Sequence, residues 1–429
     1  LADALGAHPG RPGWRLLGLI TALGFASGLP LALSGFTLRM WLASAHIGLG
    51  IIGLTANLGI AYALKFLWAP LFDEVAPPLA FARLGRRRGW LMVAQIILIG
   101  AIGALALCDP LRDIGLMLAA GGVLAFVSAS QDILIDAWRI ESFPADQQGK
   151  ALAGYVWGYR AALLISGAGV IALSARTGWH VAFGLMVVLA CVGPIATMLA
   201  GEPQVSIQHP NGGFAARLRD AVMLPLGEFF SRRGAVLILA FIVLFRLAEA
   251  MAGVMLAPYY THLGFNRVAI ALANGPFSLA ATLAGVALGG ALVSRIGVGR
   301  ALLATGFFQT VSLLMYPLLG LYPHLPHILI ATSMLESFAE GFSDAAFLSY
   351  LSILCNRDYT ATQYALLSSL AAVALRTVGG LSGYLAAAMG FVPFFVMTSF
   401  AALPAMLVLI VILRRYPPVI FKPCGPAGA

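Results

Sequence analysis

Twelve runs of apolar residues, each about 20 long and bounded by charged or turn residues, constrain this chain more than any other feature. They fall near 16–38, 50–72, 90–107, 114–138, 150–174, 180–200, 235–261, 268–293, 300–319, 327–353, 363–388 and 392–413. A water-soluble fold is excluded by composition: 60% of the 429 residues are apolar and 10% are charged, against roughly 25% charged in soluble domains. Inside a bilayer every backbone polar group must be bonded internally, so each run predicts a membrane-spanning helix. The first run follows Arg11 and Arg15 in the manner of a signal peptide. It is long, lacks a small-residue cleavage site and precedes eleven more runs, so it is expected to be a retained span.

The cations orient these spans. With the N-terminus on the cytoplasmic side, eighteen of the 26 Lys and Arg residues fall in cytoplasmic segments. Only Arg39, Arg112, Arg176 and Arg267 fall outside, and Lys65, Arg160, Arg246 and Arg376 lie within spans. Short loops rich in Lys and Arg stay cytoplasmic, which predicts that both termini are cytoplasmic. The net charge of +9 is thereby explained by topology and attraction to membrane lipids, without a nucleic-acid partner. A polar stretch with Pro203, Pro210, Asn211, Gly212 and Gly213 separates two sets of six spans. The expected organisation is a cytoplasmic segment over 1–15, a bundle over 16–200, a linker over 201–234, a second bundle over 235–414 and a tail over 415–429. Within the linker, residues 214–230 predict a short amphipathic helix, and the Pro- and Gly-rich tail from Pro417 predicts disorder.

The two sets repeat each other. Pro70-Leu71-Phe72-Asp73 followed by Gly85-Arg86-Arg87-Arg88 leaves the second span, and Gly290-Ala291-Leu292-Val293-Ser294-Arg295-Ile296-Gly297-Val298-Gly299-Arg300 leaves the eighth. Arg160 precedes Ser166-Gly167 in the fifth span as Arg376 precedes Ser382-Gly383 in the eleventh. The run after the eighth span resembles the loop signature of the major facilitator superfamily, with Ser294 in place of its Asp. A narrower resemblance rests on Gly24-Phe25-Ala26-Ser27-Gly28-Leu29-Pro30, Lys65-Phe66-Leu67-Trp68-Ala69-Pro70-Leu71, Ser128-Ala129-Ser130-Gln131-Asp132-Ile133, Asp136-Ala137-Trp138 and Ala361-Thr362-Gln363-Tyr364-Ala365-Leu366-Leu367-Ser368. Together these are similar to the AmpG muropeptide permease family. The resemblance implies an all-α membrane protein of twelve helices in two pseudo-symmetric six-helix bundles. It also implies a bacterial inner-membrane carrier, not an enzyme, that imports anhydromuropeptides with protons. A monomer without cofactor is expected, and a carrier of another bulky anion, such as an acyl-coenzyme A, is the alternative.

Ionisable residues inside spans are costly and mark candidate functional positions. Arg160, Arg246 and Arg376 lie on the order of 15–20 Å from their helices' cytoplasmic ends, near the midplane where carriers of this architecture bind cargo. Arginine grips a carboxylate or phosphate bidentately, so Arg160 and Arg376 are candidate anchors for an anionic cargo, joined by Lys65. The competing reading is that buried acids neutralise these cations and only tie helices together. Gln131 and Ser128 offer hydrogen bonds, Glu336 a carboxylate, and Trp157, Tyr159, Tyr259 and Tyr350 offer rings for stacking on sugars. Ordinary packing competes with each of these assignments. Glu336, Glu340 and Asp344 at i, i+4, i+8 share one face. Arg246 and Glu249 at i, i+3 form a pair that a proton on Glu249 would break, so Glu249, Arg246, Glu340 and Asp344 are the candidate coupling residues. Asp132 and Asp136, near the cytoplasmic end of the fourth span, are expected to form a gate with Asp73, Arg86, Arg87, Arg88 and Arg139.

Other chemistries find no support. Gly48-x-Gly50-x-x-Gly53 matches a dinucleotide fingerprint only in form, because it opens a membrane helix and follows no strand. Cys108, Cys191, Cys355 and Cys424 have no paired spacing, so neither a disulfide framework nor a metal site is expected. An intramembrane enzyme built on the tenth-span acids, or a membrane sensor, would not call for duplicated halves.

Overall fold

The computed structural model describes residues 13–69, 71–144, 147–203, 230–231, 234–323, 325–354 and 360–415. The expected helix over 214–230, the tail from 417 and the side chain of Asp73 lie outside the described residues. Helices are the only regular elements among the described residues, and apart from two short ones, Leu71–Glu74 and Leu79–Leu84, they form twelve rods in chain order. These are α1 (Trp14–Ser44), α2 (Leu49–Leu64), α3 (Arg86–Leu107), α4 (Ile114–Ser142), α5 (Lys150–Thr177) and α6 (Trp179–Leu199). The second set comprises α7 (Ala235–His262), α8 (Arg267–Ile296), α9 (Val298–Leu319), α10 (Pro326–Leu354), α11 (Thr360–Met389) and α12 (Phe391–Arg415). Among the described residues, nine are long and apolar enough to cross a membrane by length and composition. The α2 rod is shorter, and α10 carries three acids.

The internal repeat is visible in the turns. Gly85 and Gly297 open α3 and α9 with φ of +98° and +79°, and Gly178 and Gly390 open α6 and α12 with φ of +83° and +82°. Only glycine takes this backbone region without steric cost. Gly297 and Gly390 each lie 212 residues beyond their counterparts.

Packing divides the chain into two units: Leu1–Ala45 with Leu64–Gly212, and His46–Ala63 with Gly213–Ala429. The departure from the expected boundary is residues 46–63, which pack in the second unit. The cause is close backbone approach. Gly53 sits against the backbone of Gly380 and Gly383 in α11, and Asn57 lies over Gly380. In the first unit, Gly24 and Gly28 of α1 rest on the carbonyls of Tyr155 and Tyr159 in α5. In the second, Gly285 and Gly289 of α8 rest on those of Phe338 and Phe342 in α10. Lipid supplies no hydrophobic drive for helices to associate, so such small-residue contacts carry much of the packing. The second unit's core adds Phe241, Phe245, Phe347 and Tyr350 from α7 and α10.

Gly24→Val is therefore expected to lower the thermal unfolding midpoint in detergent, with an overpacking cost of at least about 1–3 kcal/mol. Gly18→Ala, at a position with nothing within 4 Å, is the control and should leave the midpoint unchanged or slightly higher. Equal midpoints for the two variants would show that the α1–α5 crossing tolerates separation.

One missing helical hydrogen bond shapes the candidate site. Pro30 has no N–H, so the carbonyl of Ala26, four residues earlier in α1, lacks its helical donor. Gln131 of α4 replaces it, its Nε2 donating to Ala26 O at 2.9 Å.

Candidate functional site

The second unit gathers charge at the middle of α7 and α10. Arg246 pairs with Glu249 one turn along α7 at 3.1 Å and also with Asp344 of α10. Its guanidinium lies 5.6 Å from the centre of the Phe347 ring, a cation–π contact. Gln309 of α9 donates from Nε2 to Glu249 Oε2 at 3.0 Å, fixing the carboxylate on a third helix. Glu340 makes no ion pair with Arg246 but is close enough to act on it electrostatically. Glu336 lies beside the buried hydroxyls of Tyr260 and Tyr316 and within electrostatic range of Glu249 and Glu340. The acidic stripe of α10 thus runs from Asp344, paired with Arg246, to Glu336 beside the tyrosines. Four carboxylates share this region with one guanidinium, and Arg246 is shared between two of them.

The first unit holds a smaller counterpart. Asp132 lies 212 residues before Asp344, the offset of the paired glycine turns. It too has a basic partner, with Lys65 Nζ at 4.0 Å from Oδ2. Ser27 donates to Oδ1 at 2.5 Å, and the Ser27 hydroxyl is also 2.8 Å from that of Tyr155. This differs from the expected gate, in which Asp132 and Asp136 meet the Arg86–Arg88 cluster. Asp136 instead pairs with Arg139 at 3.3 Å. Arg87 reaches Glu141, one turn nearer the helix end than Trp138, with Nη2 at 2.5 Å, because α3 begins level with the end of α4. Arg88 donates to the carbonyls of Thr197 and Met198 at the end of α6. Glu202 caps α3, accepting from the backbone N–H groups of Arg87 and Arg88 at 2.8 and 3.0 Å. A carboxylate is favoured at a helix N-terminus by the exposed donors and the helix dipole. Arg86 is half-buried.

Several candidate cargo contacts are buried among neighbouring helices. Ser128 is fully buried and Gln131 is 1% exposed, with its amide committed to the carbonyl that Pro30 strands. Tyr259 and Tyr350 are core residues, the former donating to Tyr316 O at 2.8 Å. Trp157 is exposed and Tyr159 half-buried, their helix α5 also presenting Arg160. Arg160 and Arg376 are both exposed, and among the described residues no carboxylate pairs with either. The Arg376 guanidinium lies over Gly59 of the α2 rod. Carboxylates therefore pair with Arg246, and none among the described residues pairs with these two. Ser27, Tyr155, Glu141, Glu202 and Gln309 were not evident from sequence. The 212-residue offset was the available signal for Asp132 as the counterpart of Asp344.

Two repeated sets of six helices, each holding a cation–carboxylate pair within its spans, suit a carrier, and the chain belongs to the Major Facilitator Superfamily, which matches it over residues 20–375. Within that superfamily it belongs with the AmpG-type permeases. It is 39% identical over 395 residues to the anhydromuropeptide permease of Escherichia coli K12, covering 92% of this chain and 79% of that one. It is 32% identical to the putative transporter AmpG 4 of Rickettsia felis, covering 92% and 96%. Among solved structures, a mutant peptide transporter POT in complex with sulfate matches with TM-score 0.71 at 14% identity, covering 97% and 98%. A D-xylose-proton symporter matches with TM-score 0.66 at 14% identity, covering 92% and 97%. These last two likenesses bear on the fold alone. The chain is a membrane transporter and not an enzyme.

Proposed function

We propose that this carrier imports anhydromuropeptides across the bacterial inner membrane by alternating access, driven by protons, and works as a monomer with both termini cytoplasmic. The cargo assignment is supported by the 39% identity to the anhydromuropeptide permease. The coupling assignment is carried by one observation: a single guanidinium, Arg246, held between Glu249 and Asp344 with Glu340 nearby. One cation cannot balance that many carboxylates in a low-dielectric interior. A proton taken up by Glu249 weakens its pair with Arg246, and release restores it, which is the change a coupled cycle requires.

Arg160 and Arg376, exposed and without an acidic partner among the described residues, are the proposed anchors for anionic groups of the cargo. Lys65 is a third, held by Asp132 until cargo competes for it. Trp157 and Tyr159 flank Arg160 and offer ring faces. Arg160→Lys and Arg376→Lys keep the charge but lose the planar fork, and each is expected to weaken cargo binding roughly tenfold, about 1.4 kcal/mol. Binding of labelled anhydromuropeptide to purified protein measures this. Unchanged affinity in both variants would remove the bidentate role.

Orientation has its own test. Single cysteines placed between 203 and 233 should react with an impermeant thiol reagent only from the cytoplasmic side, and one beside His324 only from outside. The reversed pattern would invert the proposed direction of import.

A further inference from the structure

In the first unit a cavity of about 10 Å³ lies beside Pro30 of α1, its lining including Ala26, Leu29, Pro30, Gln95, Gln131 and Ala190. This is roughly the room one water molecule needs. Two of the lining side chains are amides from different helices, Gln95 of α3 and Gln131 of α4, 2% and 1% exposed. Each has one end committed. Gln95 Oε1 accepts from the Thr197 hydroxyl of α6 at 2.9 Å, and Gln131 Nε2 donates to Ala26 O at 2.9 Å. The other ends, Gln95 Nε2 and Gln131 Oε1, are buried without a hydrogen-bond partner among the described residues. One is a donor and the other an acceptor.

We infer that this cavity binds one water molecule, which accepts from Gln95 Nε2 and donates to Gln131 Oε1. The bonds then run in a single direction: Thr197 to Gln95, Gln95 to water, water to Gln131, and Gln131 to the Ala26 carbonyl. Aligned donors and acceptors polarise one another, so each link strengthens the next. The chain also explains two polar side chains in an otherwise apolar packing, where an unsatisfied amide end is costly. It joins α6, α3 and α4 to the point in α1 where Pro30 removes the helical bond. Gln131 and the water are thereby positioning elements for that stretch of α1.

The test is a map of the full-length protein at a resolution that shows ordered water. The expected result is a density peak within hydrogen-bond distance of both Gln95 Nε2 and Gln131 Oε1. In Gln95→Met, which keeps side-chain length but removes the donor, the peak should be lost while the Gln131 amide stays on Ala26. Direct bonding of Gln95 to Gln131, absence of a peak in the unmodified protein, or a peak that persists in Gln95→Met would each overturn the inference. If the variant does not fold, the unmodified protein's map decides alone.

Discussion

Arg246→Gln is expected to lower the stability of the protein by about 3 kcal/mol, the lower end of the range for stripping one partner from a buried ion pair. The lower end applies because the side chains of Arg246, Glu249 and Asp344 are 21%, 17% and 29% exposed. The substitution leaves Asp344 without its partner, and Glu249 with Gln309 alone as a donor. The penalty arises from the abandoned carboxylates and not from lost packing, so Arg246→Gln combined with Asp344→Asn should recover a large part of it. Thermal unfolding midpoints in detergent for the two single variants and the double variant measure the coupling. Strictly additive losses would show that Arg246 and Asp344 contribute independently, and the cluster would cease to be a unit.

Glu249→Gln is expected to abolish accumulation of cargo against its gradient while preserving counterflow exchange. Glutamine imitates the protonated acid, keeps the hydrogen-bonding capacity that Gln309 uses, and removes the only change the proton makes. The variant is fixed in one charge state, so it can carry cargo in either direction but cannot couple it to a gradient. The loss of driven uptake should approach completeness. The rival carriers are Glu340 and Asp344, whose Gln and Asn variants are to be compared in the same assay. A Glu249→Gln protein that still concentrates cargo moves the coupling role to α10.

The parts of this molecule that were legible in its sequence are those governed by local rules. Twelve apolar runs became twelve rods because a bilayer demands length and internal hydrogen bonding, and both are properties of a single segment. Arg246 and Glu249 were recognisable because three residues along one helix fix their proximity. What was not legible depends on contacts between distant segments. Residues 46–63 joined the second unit through the contact of Gly53 with Gly380 and Gly383, which no pattern in the second span announces. Ser27 and Tyr155 are ordinary polar residues until Asp132, more than 100 positions from Ser27, is placed beside them. Nothing local singles out Glu141 and Glu202 at their span ends, yet they take the Arg87 guanidinium and the α3 N-terminus. The partner of Gln131 depends on the same kind of contact: an amide inside a span suggests cargo, and only the placement of α4 against α1 shows its Nε2 on the carbonyl stranded by Pro30.

Proton-driven import is tested by uptake of labelled anhydromuropeptide into proteoliposomes holding the purified protein, with and without a proton gradient directed along the path of import. Cargo should accumulate above the external concentration when the gradient is present and only equilibrate when it is collapsed. Uptake no faster than in protein-free liposomes, or accumulation that is indifferent to the gradient, would contradict it.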